Sequence, residues 1–177
     1  MKKQMVWFLA FMIIGGSFSA AGFAHAAEDD QAAVTAADEQ FYTALNAMFT
    51  GDAEPMKNVW SHADDVTYMG PGGEFKKGWE AVGIKWEEQA AMKLGGKITP
   101  ERNQVTVGQD LAVIDNLEVG ENIDKDGNPE KVSIRATNTF RKEDGQWKMI
   151  KHHTDLLPYL AKSVAQPQPD AVQRGSA

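Results

Sequence analysis

Two long segments of alternating character, Val132 to Lys142 and Gln146 to Asp155, flank the turn Glu143-Asp144-Gly145. Alternation with β-branched and aromatic residues on both sides of Asp-Gly is the strongest short-range signal for a β-hairpin. Strands of this length need a sheet to pair with and a face to bury, which restricts the chain to folds built on a long antiparallel sheet. The polar residues within the hairpin carry a second message. Arg135, Asn138, His152 and His153 stand where a plain sheet face would hold simpler side chains. A curved sheet that turns such groups into a cavity is a candidate ligand site.

The start of the chain reads as a targeting segment. Lys2 and Lys3 precede an apolar run from Met5 to Ile14, and small residues lead to Ala24-His25-Ala26. This is the pattern of a secretory signal peptide of residues 1–26, with cleavage after Ala26. The competing reading is an uncleaved anchor, but the run is short for a bilayer. After cleavage no stable membrane insertion is expected. The short Lys-Lys start and Ala-rich end look bacterial, and the destination is the periplasm or the medium.

The formal net charge of −7 argues against a nucleic-acid partner, because phosphate contact needs a basic surface. The chain has no cysteine, so core packing alone must hold an exported fold, and thiol nucleophiles and Cys-ligated metals are excluded. Residues 27–162 are expected to form one domain. Residues 163–177, rich in Gln, Pro, Ser and Gly, read as a disordered tail.

Helical spacing of Val34, Ala37, Phe41, Leu45, Met48 and Phe49 predicts a first helix from Asp29 or Asp30 to Phe49, ended by Gly51. Asp52 is placed to cap a short helix that carries Pro55 in its first turn. A short strand is expected at Asp65–Met69, broken by Gly70-Pro71-Gly72-Gly73, and a third helix at Gly78–Leu94. Strands at Lys97–Val107 and Leu111–Ile123 precede the terminal hairpin. Helices first and strands last imply an α+β fold, a cone-shaped barrel with N-terminal helices packed on a strongly curved, mostly antiparallel sheet. A cone has an interior, and small-molecule sites are concave.

Several phrases carry a family resemblance: Val59-Trp60-Ser61-His62, Asp65 to Pro71, Gly78-Trp79-Glu80-Ala81-Val82, Arg135 to Ile150, and His152-His153-Thr154. Together they resemble the SnoaL-like branch of the nuclear transport factor 2-like superfamily, over nearly all of Asp30 to Tyr159. The resemblance implies a cone-shaped fold that is usually a homodimer through the outer face of its sheet. Members include ketosteroid isomerase-like enzymes, dehydratases, cyclases, epoxide hydrolases and non-catalytic binding or association domains, so fold does not select function. The terminal strands are also similar to the association domain of calcium/calmodulin-dependent kinase. Two pocket arginines of that domain fall near Glu118 and Asn138 here, and the replacement removes the charge an anion would need.

With Asp144-Gly145 as a two-residue loop, Asn138 lies opposite Lys151 and Ala136 opposite His153. On that register Asn138, Phe140 and His153 share the inner face, and the resemblance adds Ile114, Asn116 and Glu118. The candidate site is therefore Asn116, Glu118, Asn138 and His153, walled by Trp60, Tyr68, Trp79, Trp86 and Phe140. Glu118 and His153 could serve as base and orienter, with Tyr68 as a phenol donor. The bland alternative is a structural polar pair that satisfies its own hydrogen bonds, with the tryptophans as core. His152 and His153 are adjacent and point to opposite faces of a strand. They do not share a metal, and neither His62 nor Asp155 stands at a ligand spacing from them. Arg135 and Thr137, on the other face, are candidates for the dimer interface. No metal or cofactor is expected. Three readings stay open: a small-molecule binder, an acid–base enzyme of the isomerase, dehydratase or cyclase type acting on a small carbonyl or cyclic substrate, and a structural homodimer with a filled cone.

Overall fold

The structure, a computed structural model, describes residues 20–124 and 126–161, with side chains from residue 28. The expected tail, and all but the last residues of the expected signal segment, lie outside the described residues. The chain forms α1 (Ala20–Met48), α2 (Glu54–Val59), β1 (Thr67–Met69), β2 (Phe75–Lys77), α3 (Trp79–Met92), β3 (Lys97–Val107), β4 (Leu111–Ile123), β5 (Pro129–Glu143), β6 (Gln146–Thr154) and α4 (Pro158–Ala161). The strands make one curved, six-stranded sheet in the order β2-β1-β6-β5-β4-β3. All neighbours are antiparallel except β1 and β6.

The helices form where spacing predicts, but α1 begins at Ala20, ahead of the expected start at Asp29 or Asp30, and α3 stops at Met92 rather than Leu94. Val34, Ala37, Phe41, Leu45 and Met48 are buried along α1, which packs against β3 and β6. Asp52 Oδ1 accepts the Glu54 N–H at 3.0 Å and so meets one of the orphan donors of α2. Val82, Trp86 and Ala90 form the buried stripe of α3. β2 is a strand beyond those expected. It is only three residues long, and its middle residue alone is partly buried, so it leaves almost no alternation to read.

The terminal hairpin closes as expected through Asp144-Gly145. Both residues have positive φ, 49° and 80°, as a two-residue turn matched to strand twist requires. The register then departs from simple counting. Phe140 pairs with Met149, but Thr139 pairs with Lys151, so Ile150 is an extra residue in β6. This is a β-bulge, and it reverses which residues face inward beyond it. Trp147 and Met149 are buried on one side of the bulge, His152 and Thr154 on the other. His153 is exposed. The expectation that His153 faces the interior is thereby corrected: the imidazole inside the cone belongs to His152, opposite Asn138.

Candidate functional site

Three elements bring polar side chains together inside the cone. β4 supplies Asn116 and Glu118, β5 supplies Asn138, and β6 supplies His152, all at inward-facing ladder positions. α1 lies across them and adds Asp38 and Tyr42. All six are at least nine-tenths buried.

The hydrogen bonds set the protonation pattern. Asn138 Nδ2 donates to Asp38 Oδ1 at 2.7 Å. That orients the amide so that its oxygen accepts from His152 Nδ1 at 2.6 Å. Nδ1 therefore carries the proton, and Nε2 presents a lone pair. Nε2 stands 3.8 Å from Glu118 Oε1. On the other side of Glu118, the Tyr42 O–H donates to Oε1 at 3.2 Å, and Asn116 Nδ2 donates to the Tyr42 oxygen at 2.9 Å.

Burial governs the charges. Desolvation pushes Glu118 up to about 7, against the Tyr42 hydrogen bond and with help from the charge of Asp38. Desolvation likewise raises Asp38 to about 6 despite its bond from Asn138. It lowers His152 to about 3, with a further contribution from His153. An ion pair would lower the carboxyl and raise the imidazole. Both shifts run the other way, so close approach alone does not make Glu118–His152 a salt bridge. The carboxylic acid and the neutral ring face each other uncharged at mildly acid pH.

The pair opens on a cavity of about 40 Å3, whose other walls include Tyr68, Trp86, Ile134 and Leu157. Space for one or two water-sized groups is present there. Pro71, Gln89, Leu94 and Leu160 separate this chamber from an outer hollow of about 120 Å3 and line both. The chain after β6 folds over the opening. Leu157 is buried, its N–H donates to Pro71 O at 2.9 Å, and the Tyr159 hydroxyl donates to Asn122 Oδ1 at 2.9 Å.

The Tyr68 ring stacks on His152 with centroids 5.8 Å apart and lies tilted against Trp86 at 4.7 Å. Its oxygen accepts from Gln89 Nε2 at 2.7 Å, and burial holds the phenol well above its usual range, so it stays a donor. Of the other wall residues expected from sequence, Trp86 lines the chamber. Trp60, Phe140, Asn116 and Asn138 are buried behind it. Trp79 is only half-buried and stacks on His62 with ring centroids 4.3 Å apart, which places it outside the site. Among the described residues no group of three or more His, Asp or Glu side chains stands together as a metal site.

The profile of the SnoaL-like domain matches residues 34–157. The chain belongs to the SnoaL-like family. No curated protein matches it. Solved structures share the fold of this SnoaL-like domain. A proposed dehydratase of the nuclear transport factor 2-like family from Streptomyces avermitilis is 24% identical, with a TM-score of 0.64 over 73% of this chain and 97% of that one. A proposed calcium/calmodulin-dependent protein kinase type II association domain from Thiobacillus denitrificans is 25% identical, TM-score 0.59, over 70% and 94%. A proposed ketosteroid isomerase from Shewanella frigidimarina is 21% identical, TM-score 0.55, over 67% and 91%.

Asp38 and Tyr42 are the site residues of this SnoaL-like domain that sequence reasoning missed. Both lie on the stripe of Val34, Phe41 and Leu45 at spacings of three or four. An acid on an otherwise apolar helix stripe was the available signal.

Proposed function

We propose that this SnoaL-like domain holds a small molecule inside the cone, at the polar end formed by Glu118, His152 and Tyr68. The observation that carries this reading is a pair of unspent groups. Glu118 Oε2 and His152 Nε2 make no hydrogen bond among the described residues, and both side chains line the inner cavity. Polar atoms inside a fold are normally partnered, and a ligand in the cavity would partner these two. The chamber alone is smaller than a typical ligand pocket. Entry of anything larger than a few atoms requires the segment from Leu157 to Ala161 to shift and merge the chamber with the outer hollow.

Export and self-association belong to the same proposal. Export is supported by Lys2-Lys3, the apolar run and Ala24-His25-Ala26. Cleavage after Ala26 would keep all the buried residues of α1 among those whose side chains are described, which begin with Val34. Among the described residues no helix is long and apolar enough to cross a membrane. A homodimer through the outer sheet face is supported by the likeness to association domains. On that face Arg135 is held by Asp155 at 2.8 Å and Thr137 donates to Asp115 at 2.6 Å.

Native mass spectrometry of the protein purified from the compartment it enters tests these together. The expected result is a dimer of chains that begin at Ala27, carrying an added small-molecule mass. Ile134→Phe, whose larger ring points into the chamber, should lose that mass. An adduct retained by Ile134→Phe, or absent from both proteins, would count against the pocket.

A second reading, acid–base catalysis on a small carbonyl compound, is favoured by the 3.8 Å approach of Glu118 to a neutral imidazole lone pair. His152 Nε2 would take a proton from carbon while Tyr68 donates to the carbonyl oxygen. Deuterium exchange into a small enolisable ketone should then disappear in His152→Ala and Glu118→Gln and persist in His153→Ala. Equal loss in all three histidine and glutamate variants would dismiss it.

A further inference from the structure

The inner chamber is lined by a carboxyl group and has no lysine or arginine among its lining residues. A second carboxyl, Asp38, lies behind the first, and its Oδ2 is buried without a hydrogen-bond partner. The groups that face Glu118 are Tyr42 and Asp38 from α1, Tyr68 from β1 and His152 from β6, with the amides of Asn116 and Asn138 beside them. None is a cation, since burial keeps His152 neutral. An ionised Glu118 therefore has no counter-charge in the fold. The nearest basic side chain that borders the entrance, Lys85, is paired with Glu74 at 3.1 Å in the outer hollow.

The chamber also offers acceptors beside the donors of Tyr68, Gln89 and Trp86, whose indole N–H is buried without a partner. Glu118 Oε2, the His152 Nε2 lone pair and the second lone pair of the Tyr68 oxygen all face it. An alkylammonium head presents three N–H donors on one centre, and the aromatic rings of Tyr68 and Trp86 line the chamber beside it. The way out passes Leu94 and Leu160, with Pro71 and Gln89 beside them, a mainly apolar neck that leads to the outer hollow. We infer that the cone binds a primary amine with an unbranched apolar tail, its ammonium group paired with Glu118 and its tail threaded through the leucine neck.

This inference rests on the small-molecule pocket argued above, and three probes of equal length separate the two. Titration calorimetry at about pH 8 with n-hexylamine, n-hexanol and hexanoate reads affinity for cation, neutral and anion. Hexylamine is expected to bind at least about tenfold more tightly than hexanol, a difference of about 1.4 kcal/mol, and hexanoate not to bind. Glu118→Gln should reduce hexylamine affinity at least about tenfold and hexanol affinity by clearly less, with a cooperative urea transition showing that the variant is folded. Lowering the pH toward about 5 should weaken hexylamine as Glu118 takes up a proton, and should leave hexanol unaffected. If hexanol binds as tightly as hexylamine, or Glu118→Gln leaves the amine unchanged, or hexanoate binds best, the amine assignment is overturned and the pocket stands. If none of the three binds, the pocket falls and the assignment with it.

Discussion

Glu118→Gln should make the protein more stable above about pH 7, by about 3 kcal/mol. The sign follows from where the proton sits. Glu118 has an ordinary value of 4.5 and is raised to about 7 in the fold. Between those values the folded protein holds a proton that the unfolded chain has released. Each increase in pH across that window therefore favours unfolding, and above it the whole cost of burying the carboxylate remains. Glutamine is uncharged at every pH and nearly the same shape. Its amide oxygen can keep the Tyr42 hydrogen bond, and its NH2 can face the cavity. The gain should fade to nothing near pH 4, where glutamic acid is neutral in both states. Urea unfolding across the range measures it. A variant less stable than the parent at about pH 8 would mean that the carboxylate is stabilised by a positive partner in the fold.

His152 shapes the acid side of the same curve. Its ordinary value of 6.5 drops to about 3 on folding, so the unfolded chain gains a proton first as pH falls through 6.5, and stability is lost on that limb. Asp38, raised from 3.8 to about 6, acts in the opposite sense over part of that span. In Glu118→Gln the part of the loss that Glu118 causes between about pH 4.5 and 7 should vanish, while the acid limb set by His152 should persist.

Gly70→Ala should cost about 3 kcal/mol or more. A Cβ at residue 70 would lie 1.9 Å from the Tyr68 oxygen, 2.3 Å from Cζ and 2.6 Å from Cε1. Such overlaps are relieved only if the ring moves. Tyr68 is 1% exposed, wedged between Trp86 and His152 and tied to Gln89, so it has nowhere to go without emptying part of the core. The loss should not add to that of removing the ring. Gly70→Ala combined with Tyr68→Ala is expected to be no less stable than Tyr68→Ala alone, since the atoms that clash are gone. Thermal unfolding of the three variants completes the cycle, and additive losses would show that the lesion at residue 70 lies in the backbone. The same glycine thus gives the phenol its place in the site.

Much of the architecture was legible because it rests on local rules. Alternation around Asp144-Gly145 marks the hairpin and helical spacing marks α1 and α3, but α3 stops at Met92 with Lys93 as its left-handed cap, before Gly95-Gly96 is reached. The inner faces of β4 and β5 also read correctly, since Glu118 and Asn138 sit on unbroken ladders. β6 did not, because nothing in Lys148 to Lys151 announces a bulge, and one unpaired residue exchanges two adjacent histidines. Trp79 has the spacing of a core residue but lies at the first turn of α3, where His62 covers it. Asp38 and Tyr42 were overlooked for a different reason. A helix face chosen by apolar residues hides the polar ones that share it, and only the carboxyl and imidazole waiting on the sheet explain why they are there.

The bulge at Ile150 has a further consequence: β6 carries one residue of slack. Asn138 would still meet His152 if Ile150 were deleted, because Lys151 would follow Met149 and the regular two-residue rhythm would resume. The imidazole is thus fixed in space by the strand beside it and loosely by its distance along the chain from the turn. Related chains could gain or lose a residue between turn and histidine with the interior unchanged. An alignment that forbids gaps inside strands would then match the buried ring of one chain to an exposed one in another.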